Sequence, residues 1–336
     1  MIKAAVIGVG AIGHNHARIY HDLPTARLVA VADVDKERVT QVEQRYHVRA
    51  YQNYHELLEK ERPEIVSVAV PTWLHYEVAL DVIAAGVHLL IEKPIAGSLA
   101  QGQAIVDAAH QQGVWLAVGH VERFNPAIRA LKAHLDAGEL GHTFHLHARR
   151  MGPFPARVHD VGVVVDLAPH EIDVMRYLTS AEVTRVYAEV EQRVHERHED
   201  GLVGVLHWSN SAIGVLDINW LTPTKIRELA VTGERGMFVV NYLSQDLFFY
   251  ENREAEDVWE PLGILRGVGE GNMVRWWVEK REPLWVELES FVETVSEGRP
   301  PLVNGEDGLR ALEVAEALIV SGRERRVIHL NSSGNE

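Results

Sequence analysis

The stretch "KAAVIGVGAIGHNHARIY", residues 3–20, decides how the chain around it is read. A short apolar run ends in glycine, and residues with helical spacing follow. Between the two, Gly8, Gly10 and Gly13 stand in the order G-x-G-x-x-G. Each glycine has a physical task. Gly8 permits a tight turn off a strand, and Gly10 lets the backbone approach a pyrophosphate. Gly13 lets the helix pack on the strand with its N-terminus facing the phosphates. The spacing alone is weak, but a preceding strand and a following helix make it a dinucleotide-binding fingerprint. Asp33 closes the next apolar run, "VAVAD". It lies about 20 residues beyond the last glycine, where an acid meets the adenosine ribose hydroxyls. A carboxylate there repels a ribose phosphate, so NAD is favoured over NADP.

The pattern continues outward to about residue 120. "ARLVAVAD", "EIVSVAVP", "VHLLIEKP" and "VWLAVGH" read as strands. "KERVTQVEQRY", "EVALDVIAAG" and "LAQGQAIVDAAHQQG" read as helices between them. Near-continuous apolar strands alternating with helices predict a parallel sheet covered on both faces. His14 and His16, just after the glycines, read as first-turn residues near the cofactor or packed on the sheet. No third ligand accompanies them, so no metal is expected.

Bulk properties narrow the function classes. The 336 residues suit two domains. The net charge of −15 repels phosphate backbones and anionic lipid, so nucleic acid and membranes are poor partners. With no cysteine, disulfides, thiol nucleophiles and cysteine-ligated metals are excluded. A reducing, cytoplasmic location is expected. The first residues read as a strand and not as a signal peptide, and no apolar run is long enough to span a bilayer.

Beyond residue 120 the period changes. Residues 125–138 look helical, with Pro126 in the first turn. "TFHLHARRM" alternates, with Phe144, Leu146 and Ala148 on one face and His145, His147 and Arg149 on the other. "EVTRVYAEVEQRV", "LVGVLHWS", "SAIGVLDINW", "IRELAVTG" and "GMFVVNY" continue as strands. This predicts a mostly antiparallel open sheet, one face under helices and the other available to a partner subunit. The expected division is a dinucleotide-binding domain at 1–120 and an α+β domain at 121–336. The final helix, "GLRALEVAEALIVSG", and strand, "RVIHL", fit either.

The segment "GPFPARVHDVGVVVDLAPHEIDVMRYL", residues 152–178, is the richest in chemistry. Its second part should be helical despite Pro169. Asp166 and His170 are then four apart on one face, with Asp173 nearby. A carboxylate beside an imidazole can fix its tautomer and stabilise its charged form, which is a general-base arrangement. Taken alone, this helix is read more readily as a plain ion pair or a core histidine. "HEID" lacks the second histidine of H-E-x-x-H, because Val174 stands there, so zinc catalysis is rejected.

Taken together, "GVGAIG", "EKP" at 92–94, "GHVERFNP" at 119–126 and "DVGVVVDLAPHEID" at 160–173 resemble the Gfo/Idh/MocA family of sugar dehydrogenases. The resemblance spans nearly the whole chain. It implies an N-terminal Rossmann domain, a C-terminal domain with an open sheet, and hydride transfer between NAD and a secondary hydroxyl of a sugar. It implies Lys93 at the reacting hydroxyl and nicotinamide, His170 as acid/base with Asp166 assisting, and a cis peptide at Lys93–Pro94. "ERFNPA" and the 152–178 segment look like the branch acting on UDP-N-acetylglucosamine at its 3-hydroxyl. An inositol, another polyol or a hexose is the alternative substrate, and a non-catalytic NAD-binding regulator is a more distant one. The expected cofactor set is Gly8, Gly10, Ala11, Ile12, Gly13, Asp33, Pro71, His75, Glu92 and Lys93. The expected substrate set is Lys93, Arg123, Asn125, Arg150, Arg157, Asp166 and His170, the arginines serving an anionic diphosphate. A homodimer or homotetramer through the C-terminal sheet is also expected.

Overall fold

The computed structural model describes residues 1–155, 161–254 and 268–330. The chain divides into two compact units. One is Met1–Phe124 with Glu282–Glu313; the other is Asn125–Arg281 with the residues from Val314 on.

In the first unit, strands and helices alternate: β1 (Ile2–Ile7), α1 (Ala11–Asp22), β2 (Ala26–Ala32), α2 (Lys36–Tyr46), β3 (Arg49–Tyr51), α3 (Tyr54–Glu61), β4 (Ile65–Val68), α4 (Thr72–Ala84), β5 (His88–Glu92), α5 (Leu99–Gln112) and β6 (Leu116–Gly119). All strand pairs are parallel, in the order β3-β2-β1-β4-β5-β6. This is a Rossmann sheet, and the strand order reverses between β1 and β4, where such sheets bind ligands beyond the carboxyl ends. Alternate residues feed two cores. Ala5, Ile7, Val66, Val68, Leu89 and Ile91 pack with Leu57, Val78, Val82 and Ile105 from α3–α5. Ala4, Val6, Val31 and Leu90 pack with Ile19, Val39 and Val42 from α1 and α2.

The second core is completed from far along the chain. Leu288, Phe291 and Val292 of α8 (Pro283–Glu297) join it. The division expected at residue 120 is therefore corrected on this point. A linear boundary cannot describe a unit whose core takes in a helix from beyond residue 280. β3 and α3 were also not foreseen.

The second unit contains α6 (Pro126–Asp136), β7 (Thr143–Pro153), α7 (Val163–Thr179), β8 (Val183–Glu191), β9 (Gly201–Trp208), β10 (Ile213–Asn219), β11 (Leu221–Gly233), β12 (Gly236–Asn241), β13 (Asp246–Glu254) and β14 (Val268–Trp276). The nine-stranded sheet runs β14-β13-β12-β11-β7-β10-β9-β8-β15, where β15 is Ile328–His329. Its described pairs are antiparallel except β7 with β10. The last strand pairs with β8, and the unit boundary falls inside α9 (Gly305–Glu324). Leu146, Ala148, Leu206, Leu216 and Val231 are buried on the face that carries helix α7. Alternate positions face outward, with Val203 55% and Val205 42% exposed. Phe144, at the beginning of β7, is exposed despite sharing the period of Leu146 and Ala148.

Candidate active site

The glycine turn has the form its spacing predicts. Gly8 has φ +86°, and a Cβ there would lie 2.6 Å from the Ala69 carbonyl oxygen. A Cβ on Gly13 would lie 1.8 Å from the Gly8 carbonyl oxygen. Neither contact can be relieved without moving backbone. Gly10 differs: the nearest atom to its Cβ position is Arg38 Nη1 at 3.8 Å. Its side is open, which suits a glycine kept for the approach of a ligand. Gly10 also begins α1 without a side-chain cap, and no acid occupies the first turn. The first-turn N–H groups and the positive end of the helix dipole therefore meet no side-chain anion of their own helix. Ala11 and Ile12 of that turn are exposed. Asp33 stands just past β2 and accepts the Val9 N–H at 2.8 Å and the Asp35 N–H at 2.9 Å. These features fit a bound dinucleotide: an open turn, an unopposed helix start and a carboxylate one strand away.

The next strand ends carry the remaining groups. Pro71 begins α4, and His75 lies one turn on, 1% exposed. Its Nδ1 is 2.8 Å from the Pro94 carbonyl oxygen and its Nε2 is 3.0 Å from that of Val70. Burial lowers the pKa of this imidazole, against the two carbonyls and Glu92, which favour its charged form. A neutral ring donates to one carbonyl at a time. His75 thus ties the α4 turn to the segment after β5, where Lys93–Pro94 is cis as the resemblance implies. Glu92 Oε1 lies 3.0 Å from His16 Nε2, and Oε2 accepts the Lys93 N–H at 3.3 Å. Burial pushes the Glu92 carboxyl up; His16 and Lys93 outweigh it and hold the group below the usual carboxylate range. Two residues at these strand ends were not anticipated. Gly119, paired with Glu92 across β5 and β6, would bring a Cβ to 3.0 Å from Glu92 Oε2. Trp73, in the first turn of α4, is 72% exposed.

In the second unit, α7 holds Asp166 and His170 on one stripe, as the four-residue spacing requires. Both are half-buried, whereas Leu167, Ala168 and Pro169 between them are buried. The helix runs through Pro169, which in a helix interior costs about 3 kcal/mol. Asp173 is fully buried and not on the half-exposed stripe.

Three expected substrate residues have partners within the fold. Arg123 is buried, with Nη2 at 2.9 Å from Asp307 Oδ1 and Nη1 at 3.0 Å from Oδ2. Its Nη1 also reaches the Leu302 carbonyl oxygen at 3.2 Å. Arg150 is buried and paired with Glu171, whose Oε2 accepts the Tyr242 hydroxyl at 2.8 Å. Asn125 caps α6 by accepting the Ala127 N–H at 3.1 Å, and it donates to the Tyr242 carbonyl at 3.1 Å. A buried guanidinium needs a carboxylate partner, and each arginine finds one inside its own unit. These pairs brace the fold. Arg157 lies outside the described residues. No cluster of three or more metal-capable side chains occurs among the described residues, and no helix among them is long and apolar enough to cross a membrane.

Residues 2–120 match the profile of the oxidoreductase family with an NAD-binding Rossmann fold, and residues 128–239 match the GFO/IDH/MocA C-terminal domain. The chain belongs to the Gfo/Idh/MocA family. It is an NAD-dependent oxidoreductase, and its first unit is an NAD-binding Rossmann domain. Among Gfo/Idh/MocA relatives, UDP-N-acetylglucosamine 3-dehydrogenase of Acidithiobacillus ferrooxidans is 30% identical over 94% of this chain and 95% of its own. A solved structure of that enzyme superposes with a TM-score of 0.84, covering 95% of this chain and 97% of the other. Myo-inositol 2-dehydrogenase of Thermotoga maritima is 27% identical over 98% of both chains.

Proposed function

We propose that the protein oxidises the 3-hydroxyl of a UDP-N-acetylhexosamine to a ketone, with NAD as acceptor. The observation that carries this reading is the similarity to the Acidithiobacillus enzyme across both units, 30% over 94% of the chain. NAD, when bound, accepts the hydride from the ring carbon. His170 takes the hydroxyl proton as that hydride leaves, and Asp166 on the same stripe of α7 orients the imidazole and balances its charge. Lys93, just past the end of β5, hydrogen-bonds the same oxygen and stabilises the negative charge that develops on it. The glycine turn and the start of α1 hold the pyrophosphate, and Asp33 holds the adenosine ribose.

A second reading is favoured by one observation. Arg123 and Arg150, the cations expected to meet a diphosphate, are buried against Asp307 and Glu171. An uncharged inositol or other polyol needs no such cations. The two readings separate on a panel of UDP-sugars, free hexoses and inositols with NAD, followed by NADH absorbance. Preference for UDP-N-acetylglucosamine supports the first; turnover of inositol alone replaces it with the second. In either case His170→Ala and Lys93→Ala should each lower kcat by about 10²–10⁴-fold with NADH binding retained. Near-parental turnover in both variants would remove the mechanism.

A second copy of the chain is the proposed occupant of the outward face of the nine-stranded sheet. The exposed Tyr187, Val203 and Val205 side by side on that face mark a contact surface.

A further inference from the structure

Glu92 sits next to Lys93, yet its carboxylate is directed to other partners. His16 lies fully buried on α1, and its Nε2 is 3.0 Å from Glu92 Oε1. A carboxylate only accepts, so the imidazole proton resides on Nε2. The remaining nitrogen, Nδ1, is buried without a hydrogen-bond partner among the described residues. The other carboxylate oxygen accepts the backbone N–H of Lys93 at 3.3 Å. Gly119 leaves space for it: any side chain there would press on Oε2 from 3.0 Å. The charged and titratable groups acting on this carboxylate are His16 from α1, His75 from α4 and Lys93 beside it.

Both carboxylate oxygens are thus engaged, one by His16 and the other by the Lys93 backbone N–H, so the carboxylate links α1 to the backbone from which the lysine side chain extends. We propose that His16 and Glu92 are positioning residues for Lys93, coupled as one chain in which His16 orients the carboxylate and the carboxylate orients the lysine. The inference rests on the reading above that Lys93 acts at the reacting alcohol. It adds a task for the histidine beside the glycine turn that is separate from cofactor binding.

The test uses His16→Leu, His16→Gln, Glu92→Gln and the double variant His16→Leu/Glu92→Gln in the full chain. Leucine removes the donor, whereas glutamine places an N–H where Nε2 stood. Expected for His16→Leu is a fall in kcat on the order of 10²-fold, the scale of a small misplacement of a reacting group. NADH affinity should stay within about twofold. His16→Gln should recover most of the loss. The double variant should be no slower than Glu92→Gln, because the histidine acts only through that carboxylate. A second readout needs no turnover. The pH dependence of Lys93 acetylation is followed by peptide mass spectrometry, with Lys60 and Lys132 as internal references. Residue 16 should alter Lys93 labelling when Glu92 is present and leave it unaltered in the Glu92→Gln background. Parental labelling and kcat in His16→Leu overturn the inference, as do additive losses in the double variant. Equal loss of NADH binding in the leucine and glutamine variants also overturns it, since that marks a purely structural histidine. Should the parent oxidise no sugar, the functional reading fails and the labelling arm still decides the coupling.

Discussion

The Asp33 carboxylate accepts the backbone N–H of Val9 at 2.8 Å, tying the end of β2 to the middle of the glycine turn. The acid expected at the ribose therefore also holds the loop that cradles the phosphates. Asp33→Ala should weaken NADH binding by roughly 10- to 100-fold, the worth of a hydrogen bond to a charged group. NADPH binding should weaken less, because the repulsion of a ribose phosphate disappears together with the contact. Fluorescence titration of both nucleotides checks this. Equal losses for the two would remove Asp33 from cofactor discrimination.

Gly10 and Gly13 should separate binding from folding. A methyl at Gly13 would sit 1.8 Å from a backbone oxygen, whereas one at Gly10 meets only Arg38 Nη1 at 3.8 Å. Gly13→Ala should lose about 1–3 kcal/mol of stability or more along with NADH binding. Gly10→Ala should keep its melting temperature and lose NADH affinity, since only the approaching cofactor meets the methyl group. Calorimetry with and without NADH distinguishes the two.

His75 makes stability depend on pH in a defined direction. Burial holds its pKa below the ordinary 6.5. As pH falls below that value, the unfolded chain binds a proton that the folded chain resists. This contribution is complete above about pH 6.5 and declines toward the depressed folded value, by about 1.4 kcal/mol for each unit of depression. His88, lowered mainly by burial, adds a change of the same sign. Urea midpoints should therefore fall between about pH 7.5 and pH 5.5, and less steeply in His75→Asn. Equal slopes in the two proteins would count against the buried imidazole.

The outward sheet face offers a test of assembly. Val203 and Val205 stand two apart on β9, and Val205 is flanked across the strands by Tyr187 and Val215. Val203→Asp/Val205→Asp should lower the mass measured by light scattering to that of a single chain while leaving NADH affinity intact. A parental mass in the double variant would place the contact elsewhere.

What the sequence disclosed follows from the range of each interaction. The glycine turn, Asp33 and the Asp166–His170 stripe are local patterns, and the structure places each where its spacing requires. β3 has only three residues, and α3 opens "YHELLEKE" with a mostly charged surface, so neither carries a strong period. The arginines show a different limit. Their charge is plain in the sequence, but the partners that claim them are not local in it: Asp307 for Arg123, 184 residues away, and Glu171 for Arg150, 21 away. Glu92 is the same case, because its hydrogen-bond partner His16 lies 76 residues away. The helix α8 was missed for want of a neighbour in sequence, although its Pro283 start and Gly298 stop are clear signals.

The late arrival of α8 also bears on biosynthesis. Leu288, Phe291 and Val292 reach the Rossmann core only after some 280 residues have left the ribosome. Until then, the nascent first unit shows water the apolar surface that this helix will cover. A proteolytic or recombinant piece ending at Phe124 would carry the same exposed surface permanently, and we expect it to aggregate where the intact polypeptide does not.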